Sequence, residues 1–323
     1  MKKIAIIGAG MSGLSAAQAL RDRAEVTIFD KSRGVGGRMS TRYAGEYEFD
    51  HGAQYFTVKS PEFRSVVNTA MSEGHVMPWA SRAKYLKDGE IVDDTGGARF
   101  VATPRMNSWT KVLATDLNVE LGRRVTSMKQ GRDNKWSLGF EAGAGATGFD
   151  RVICSVPPVQ ALDILPKNFS QRSDIKNAKM DVCFALMIGL NAPLNLDWDS
   201  LRLNNLPIGW MAINSDKPNR GPSPTLMIHS APEWSNVHAD ADRDWIQNLL
   251  LNVGSELVGH DLHLAPHKAL HRWLYASVQT GAGHNALYDE GLNIAVCGDW
   301  CVGGRVEGAF LSGLSAAQKM SLS

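Results

Sequence analysis

Gly8, Gly10 and Gly13 are the first residues whose spacing could do chemistry. They form a GxGxxG turn: Gly8 permits a tight bend, Gly10 lets the backbone approach a pyrophosphate, and Gly13 lets a helix pack closely on a strand. Met11 and Ser12 complete the turn, and the helix that follows would present unpaired N–H groups and a positive dipole end to an anion. Asp30 stands roughly twenty residues further on, where an acid that bonds ribose hydroxyls is expected. The elements needed to position these groups are legible around them. Residues 3–7 read as a buried parallel strand, 14–20 as an Ala-rich helix opening, and 25–29 as a second strand delivering Asp30. Glycine-rich turns also serve as plain punctuation, so the specificity comes from the order strand, turn, helix, strand, acid. That order predicts a bound dinucleotide and leaves NAD and FAD both open.

The next segment separates them. Lys31-Ser32-Arg33-Gly34-Val35-Gly36-Gly37-Arg38 is a glycine turn that delivers Arg38 to a second phosphate contact, with Lys31 and Gly37 beside it. A solvated basic loop would explain the charges but not the paired glycines. Here the sequence resembles the amine-oxidase-like FAD superfamily, in which this Gly-Gly-Arg turn lies against the pyrophosphate; the resemblance favours FAD, bound non-covalently. Near the other end, an apolar strand over 293–297 runs into Gly298-Asp299-Trp300 and then Gly303-Gly304-Arg305-Val306, with a helix over about 306–317. In the superfamily, the Asp at the position of Asp299 holds the ribityl chain, and the helix opening at Val306 lies beneath the isoalloxazine. A positive helix end there stabilises the negative charge of the reduced cofactor. The position of Val125 is implied to meet the adenine through its backbone.

Three blocks narrow the resemblance. Asp50-His51-Gly52-Ala53-Gln54-Tyr55-Phe56, His271 through Ala276, and Gly298 through Ala309 look like bacterial renalases, and the order of elements matches along essentially the whole chain. That resemblance implies an FAD-dependent oxidase of misreduced 2-dihydro and 6-dihydro isomers of NAD(P)H, with dioxygen becoming hydrogen peroxide. Its partners are then a dihydronicotinamide dinucleotide and O2. Ala53 and Gln54 would meet the cofactor, while Tyr55, Phe56, Trp210, Arg99 and Arg305 are candidates for the substrate. Hydride transfer to flavin N5 needs placement and exclusion of water more than an acid or base, so no side chain is assigned as catalytic. His51 is read as hydrogen-bonded support rather than a catalyst.

The expected fold is α/β: an FAD-binding Rossmann-like βαβ domain interleaved with a smaller α+β substrate domain roofing the flavin. The FAD-binding parts are 1–59, 100–158 and 270–323, and the substrate parts 60–99 and 159–269. Helices are expected over 61–73 and about 240–258, strands over 182–190 and 225–229, and a strand over 152–156 stopped by Pro157-Pro158. Lys plus Arg total 34 against 33 for Asp plus Glu, which supplies no basic field for nucleic acid or an anionic membrane. The first apolar run is too short for a signal peptide or membrane span, so a cytoplasmic location is expected. Cys154, Cys183, Cys297 and Cys301 are too scattered for a disulfide framework or a zinc site, and no metal is expected. Two rivals remain: a flavin-containing monoamine oxidase, often with a lysine near N5, and a flavin-binding redox sensor without turnover.

Overall fold

The computed structural model describes residues 1–204 and 207–321. Its N-terminal unit is β1 (Lys2–Ile7), α1 (Met11–Leu20) and β2 (Ala24–Asp30). β1 is flanked on both sides, parallel to β2 with Ile6 opposite Ile28 and parallel to Arg151–Cys154 with Ile6 opposite Ile153. Its last four residues are buried on both faces, which is why they read as a continuous apolar run without alternation. The six-stranded sheet runs in the order Leu287–Asp289, Ile294–Val296, Arg151–Cys154, β1, β2, Asn118–Leu121. All pairings are parallel except that of the outermost Leu287–Asp289 strand.

One face of this sheet is covered by α1 and the helix Val306–Ser321, through Leu14, Ala16, Ala17, Ala316 and Ala317. The two helices meet backbone to backbone, since a Cβ on Gly313 would lie 2.0 Å from the Ser12 carbonyl oxygen. The other face carries a three-stranded antiparallel sheet, Val125–Gln130, Trp136–Phe140 and Ala146–Phe149, with Phe29 packed on Phe140 and Phe149.

The second lobe is a seven-stranded sheet in the order His267–Thr280, Lys179–Gly189, Thr225–Ser230, Ile208–Ile213, Ser200–Leu203, Ala83–Lys87, Glu90–Asp93. Helix Arg243–Val258 packs on it because its turns place Ile246, Leu250 and Leu251 on one face, against Met211 and Ile228. Burying each such side chain stabilises by about 1.5–3 kcal/mol. Asp242 starts the helix by accepting from the Trp245 N–H at 2.8 Å, and Gly259 ends it in the left-handed region at φ 64°. A hairpin, β3 (Thr41–Ala44) and β4 (Tyr47–Asp50), joins the lobes, with Phe49 buried among Ala185, Met187 and Met227.

The interleaved α/β architecture is therefore present, with two differences from the expected boundaries. The block beginning at residue 270 falls inside the edge strand His267–Thr280, which pairs along the second lobe's sheet, and the chain rejoins the first sheet only at Leu287. The tandem proline does end the strand at Cys154, but Pro158 also opens a helix, Pro158–Ile164, because proline suits a first helical turn. Among the described residues, no helix is long and apolar enough to cross a membrane, and no group of three or more His, Cys, Asp or Glu could hold a metal ion.

Candidate functional site

A cavity of about 2160 Å³ opens between the lobes, lined from the glycine turns of the first and the sheet of the second. At one end lie Gly8, Gly10, Met11, Ser12, Asp30, Lys31, Gly37, Arg38 and Val125. Gly10 has backbone angles any residue could adopt, φ −78° and ψ 178°. A Cβ built on it meets nothing within 4 Å and would project into open space. The turn has therefore been left bare for something that is not protein. Gly13 does not line the cavity; a Cβ there would sit 2.0 Å from the Gly8 carbonyl oxygen, so its role is to bring α1 against the turn. The Asp30 carboxylate braces this end, accepting from the Ala9 N–H and the Ser32 N–H, each at 2.7 Å. Burial, and then the neighbouring Arg124, lowers the pKa of Lys31 beside it.

The two glycine turns, far apart in sequence, are joined by one ion pair. Arg38 donates from Nη1 and Nη2 to the two carboxylate oxygens of Asp299 at 2.8 and 2.6 Å, and from Nη1 to the Ala276 carbonyl at 3.2 Å. Asp299 is almost wholly buried while Arg38 keeps 31% of its side chain exposed to the cavity. Asp299→Ala removes the group that aims the guanidinium. A lost charge-assisted pair of this kind is worth about 1.5–3 kcal/mol, so FAD affinity is expected to fall roughly 10- to 100-fold. Titrating apo-protein with FAD and following flavin fluorescence measures this; unchanged affinity would remove Asp299 from the site.

At the other end of the cavity, Ala53, Tyr55, Phe56, Trp210, Trp273, Arg305 and Val306 line the wall. Tyr55 and Trp210 are in ring contact at 5.4 Å. Two expected residues are placed elsewhere. Arg99 is buried behind the Tyr55 and Trp210 rings, 4.8 and 5.3 Å from their centroids, and its guanidinium is taken by Asp94 at 2.8 Å and Ser200 at 3.0 Å. It stiffens the aromatic wall and does not face the cavity. Gln54 also turns away from it, donating to the Gly52 carbonyl and, closer still, to the Asp50 carbonyl.

Residues that sequence reasoning passed over surround these. His51 is not isolated: its ring stacks on Trp273 at 5.2 Å and meets His271 edge-on at 5.1 Å, and His229 lies close by, with all four lining the cavity. Burial, then His271, Arg42 and His229, pushes the His51 pKa down to about 3. Burial and then Lys217 push His229 down to about 4. Burial, Arg42 and Arg243 do the same to His271. The wall is thus made of neutral imidazoles at ordinary pH. Of the four cysteines only Cys183 lines this cavity among the described residues, and burial pushes its thiol up to about 12, which makes it a poor nucleophile.

Behind the wall lies a buried ion cluster. Asp50 accepts from Arg220 Nε and Nη2 at 3.0 and 2.8 Å, from Thr41 Oγ1 at 2.7 Å and from the Met106 N–H at 3.0 Å, and Lys217 Nζ stands 3.4 Å away. Lys217 and Arg220 could not be singled out from the sequence, since they sit in an exposed-looking Lys-Pro-Asn-Arg stretch.

Comparison with known proteins places this geometry. Residues 6–70 match the NAD(P)-binding Rossmann-like domain, and residues 90–321 match the family described as flavin containing amine oxidoreductase. Protoporphyrinogen oxidase 2, chloroplastic/mitochondrial, from Arabidopsis thaliana is 32% identical over 87 residues, 26% of this chain and 17% of that protein. The 4,4'-diapophytoene desaturase (4,4'-diaponeurosporene-forming) of Staphylococcus aureus is 40% identical over 74 residues, 23% of this chain and 14% of the desaturase. Only a small part of those relatives is thus covered. Cyclohexylamine oxidase from Brevibacterium oxydans IH-35A superposes with a TM-score of 0.76 at 13% identity, over 99% of both chains, a likeness of fold alone.

Proposed function

Because the chain belongs to the flavin containing amine oxidoreductase family, with FAD as its non-covalent cofactor, we propose that it oxidises misreduced 2-dihydro and 6-dihydro isomers of NAD(P)H to NAD(P)+. The observation that carries this reading is charge. Arg42, Lys59 and Arg305 line the cavity, and none of them forms an ion pair among the described residues. Unpaired cations beside a site favour an anionic occupant such as a dinucleotide pyrophosphate and oppose a protonated amine.

The fit to FAD rests on the bare turn at Gly10, the braced Asp30 and the Arg38–Asp299 pair. Gly8, Gly10, Met11, Ser12, Asp30, Lys31, Gly37, Arg38, Val125 and Asp299 would hold it, with Ala53 and Val306 beside its reacting end. When bound, FAD supplies the acceptor for a hydride, and its reoxidation by O2 with uptake of a proton yields hydrogen peroxide. The chain's own contribution is placement. Tyr55, Phe56 and Trp210 form an apolar wall against which a nicotinamide ring can lie, with Trp109 stacked behind Phe56. Hydride loss makes the nicotinamide ring positive, so the neutral His51, His229 and His271 do not oppose the product as imidazolium groups would.

Amine oxidation is the second reading, favoured by the paired Tyr55 and Trp210 rings, which could also flank an apolar amine. Mixing the yellow protein anaerobically with each dihydronicotinamide isomer, ordinary NADPH and common monoamines separates the two. The expected result is rapid bleaching by one or both isomers and slow reduction by 4-dihydro NAD(P)H and amines. Fast reduction by a simple amine, with none by the isomers, replaces this reading with the second.

A further inference from the structure

The cluster behind the cavity wall holds more positive charge than its carboxylate needs. Asp50 is already satisfied by both Arg220 nitrogens, Thr41 Oγ1 and the Met106 N–H. Lys217 is nevertheless buried completely beside it, so one carboxylate faces two buried cations. Burying an extra charge is unfavourable unless it is used. Its shortest contacts show the direction of use. Lys217 Nζ donates to Asn214 Oδ1 at 2.9 Å and to Gln54 Oε1 at 3.1 Å, and Gln54 Nε2 lies 3.4 Å from His229 Nε2. His229 is a cavity-lining residue of the strand Thr225–Ser230, directly opposite Trp210. An ammonium can only donate, so Lys217 holds the Gln54 oxygen toward the cluster, and the Gln54 nitrogen, which donates to the Asp50 and Gly52 carbonyls, is held beside the histidine.

We propose that Lys217 is a positioning residue that acts through Gln54 to present His229 to the substrate ring as a fixed, neutral imidazole. The inference rests on reading this cavity as the place where a dihydronicotinamide meets the flavin. The charged and titratable groups around His229 are Lys217 with Asp50 and Arg220 behind it, His51 from the segment after β4, and His271 on the edge strand beyond the intervening Lys179–Gly189; Arg42 in turn faces His51 and His271, and Arg243 faces His271. Burial is the largest cause of the low pKa of His229 and Lys217 the next. Removing Lys217 therefore raises that pKa without restoring a fully ordinary histidine. A protonated His229 would then stand beside a ring that becomes positive as hydride leaves.

The test uses Lys217→Met and Lys217→Gln in the FAD-loaded enzyme, since Asp50 keeps Arg220 in both. The first reading is imidazole NMR of histidine-labelled protein without substrate, which reports the ionisation of His229 whatever the substrate proves to be. The expected result is a His229 pKa at least one unit higher in both variants, with an unchanged melting temperature window and FAD content. The second reading is the pH profile of flavin reduction by the isomers. Wild-type rates should be flat above about pH 5, given histidine values near 4, and the variants should gain an acid limb in the rate at saturation with little change in KM. An unmoved His229 titration in either folded variant overturns the proposal. Failure of the isomers to reduce the flavin, with the His229 shift present, overturns only the substrate reading.

Discussion

Replacing Gly10 by Val should give a folded, colourless protein. The backbone at Gly10 is ordinary, and a Cβ there meets no protein atom within 4 Å, so the substitution should leave the packing of β1 and α1 intact. The new methyl groups would instead fill the approach path of the pyrophosphate. Excluding the diphosphate forfeits the helix N-terminus and several backbone hydrogen bonds together. The expected loss of FAD affinity is roughly 10³-fold or more, corresponding to about 4 kcal/mol. Gly13→Ala provides the opposite outcome from a smaller change, because its Cβ would press to 2.0 Å of the Gly8 carbonyl oxygen and 2.7 Å of Ser155 Oγ. Neither the turn nor the Ser155 hydroxyl, which donates to the Ile7 and Gly8 carbonyls, can yield freely. Overpacking of this kind costs about 1–3 kcal/mol, so the melting temperature should fall by several degrees while residual folded protein still takes up flavin. Circular dichroism with flavin absorbance on the same samples reads both. A yellow Gly10→Val protein would show that the diphosphate does not pass there.

The contrast between these glycines shows what sequence can and cannot carry. The βαβ unit was legible because its signals are local: an apolar run buried from both sides, three glycines, and an acid roughly twenty residues on. The second turn at Asp299 was legible for the same reason, but the fact that it grips Arg38 was not, since 261 positions separate the partners. Arg99 is by its type a candidate for the substrate or, more commonly, for a structural ion pair; its partner, Asp94, is only five residues away, but a salt bridge across a bend has no periodic signature. His51 looked solitary because His229 and His271 approach it from two other strands. The strand His267–Thr280 lies at a sheet edge and is only partly buried along its length, so it lacks the alternation that would have extended it across residue 270.

The buried ion cluster is the extreme case, and Asp50→Asn should have the largest effect on stability. In the folded protein Asp50 has no exposed surface, and Lys217 and Arg220 are buried to nearly the same degree. Burial alone would raise the Asp50 pKa, but Lys217, Arg220, Thr41 and the Met106 N–H outweigh it and bring it down to about 2. An asparagine keeps the shape and can still accept from Thr41, yet it strips the counter-charge from Arg220 and from Lys217, whose pKa burial already pushes down to about 8. Removing one member of a buried pair costs about 3–5 kcal/mol, a large share of a total stability of about 5–15 kcal/mol. The loss is also topological, because Asp50 ends the hairpin from the first lobe while Lys217 and Arg220 come from the second. Unfolding by urea should therefore shift to much lower denaturant, and adding Lys217→Met to Asp50→Asn should recover part of the loss by withdrawing one of the stranded charges. The pH dependence carries the sign. A carboxylate with a depressed folded pKa contributes its full stabilisation above its unfolded value of about 3.9 and loses it as pH falls toward 2. The wild-type protein should accordingly lose stability more steeply than Asp50→Asn between pH 4 and 2. Equal urea midpoints at neutral pH would mean that the cluster is not what holds the two lobes around the cavity.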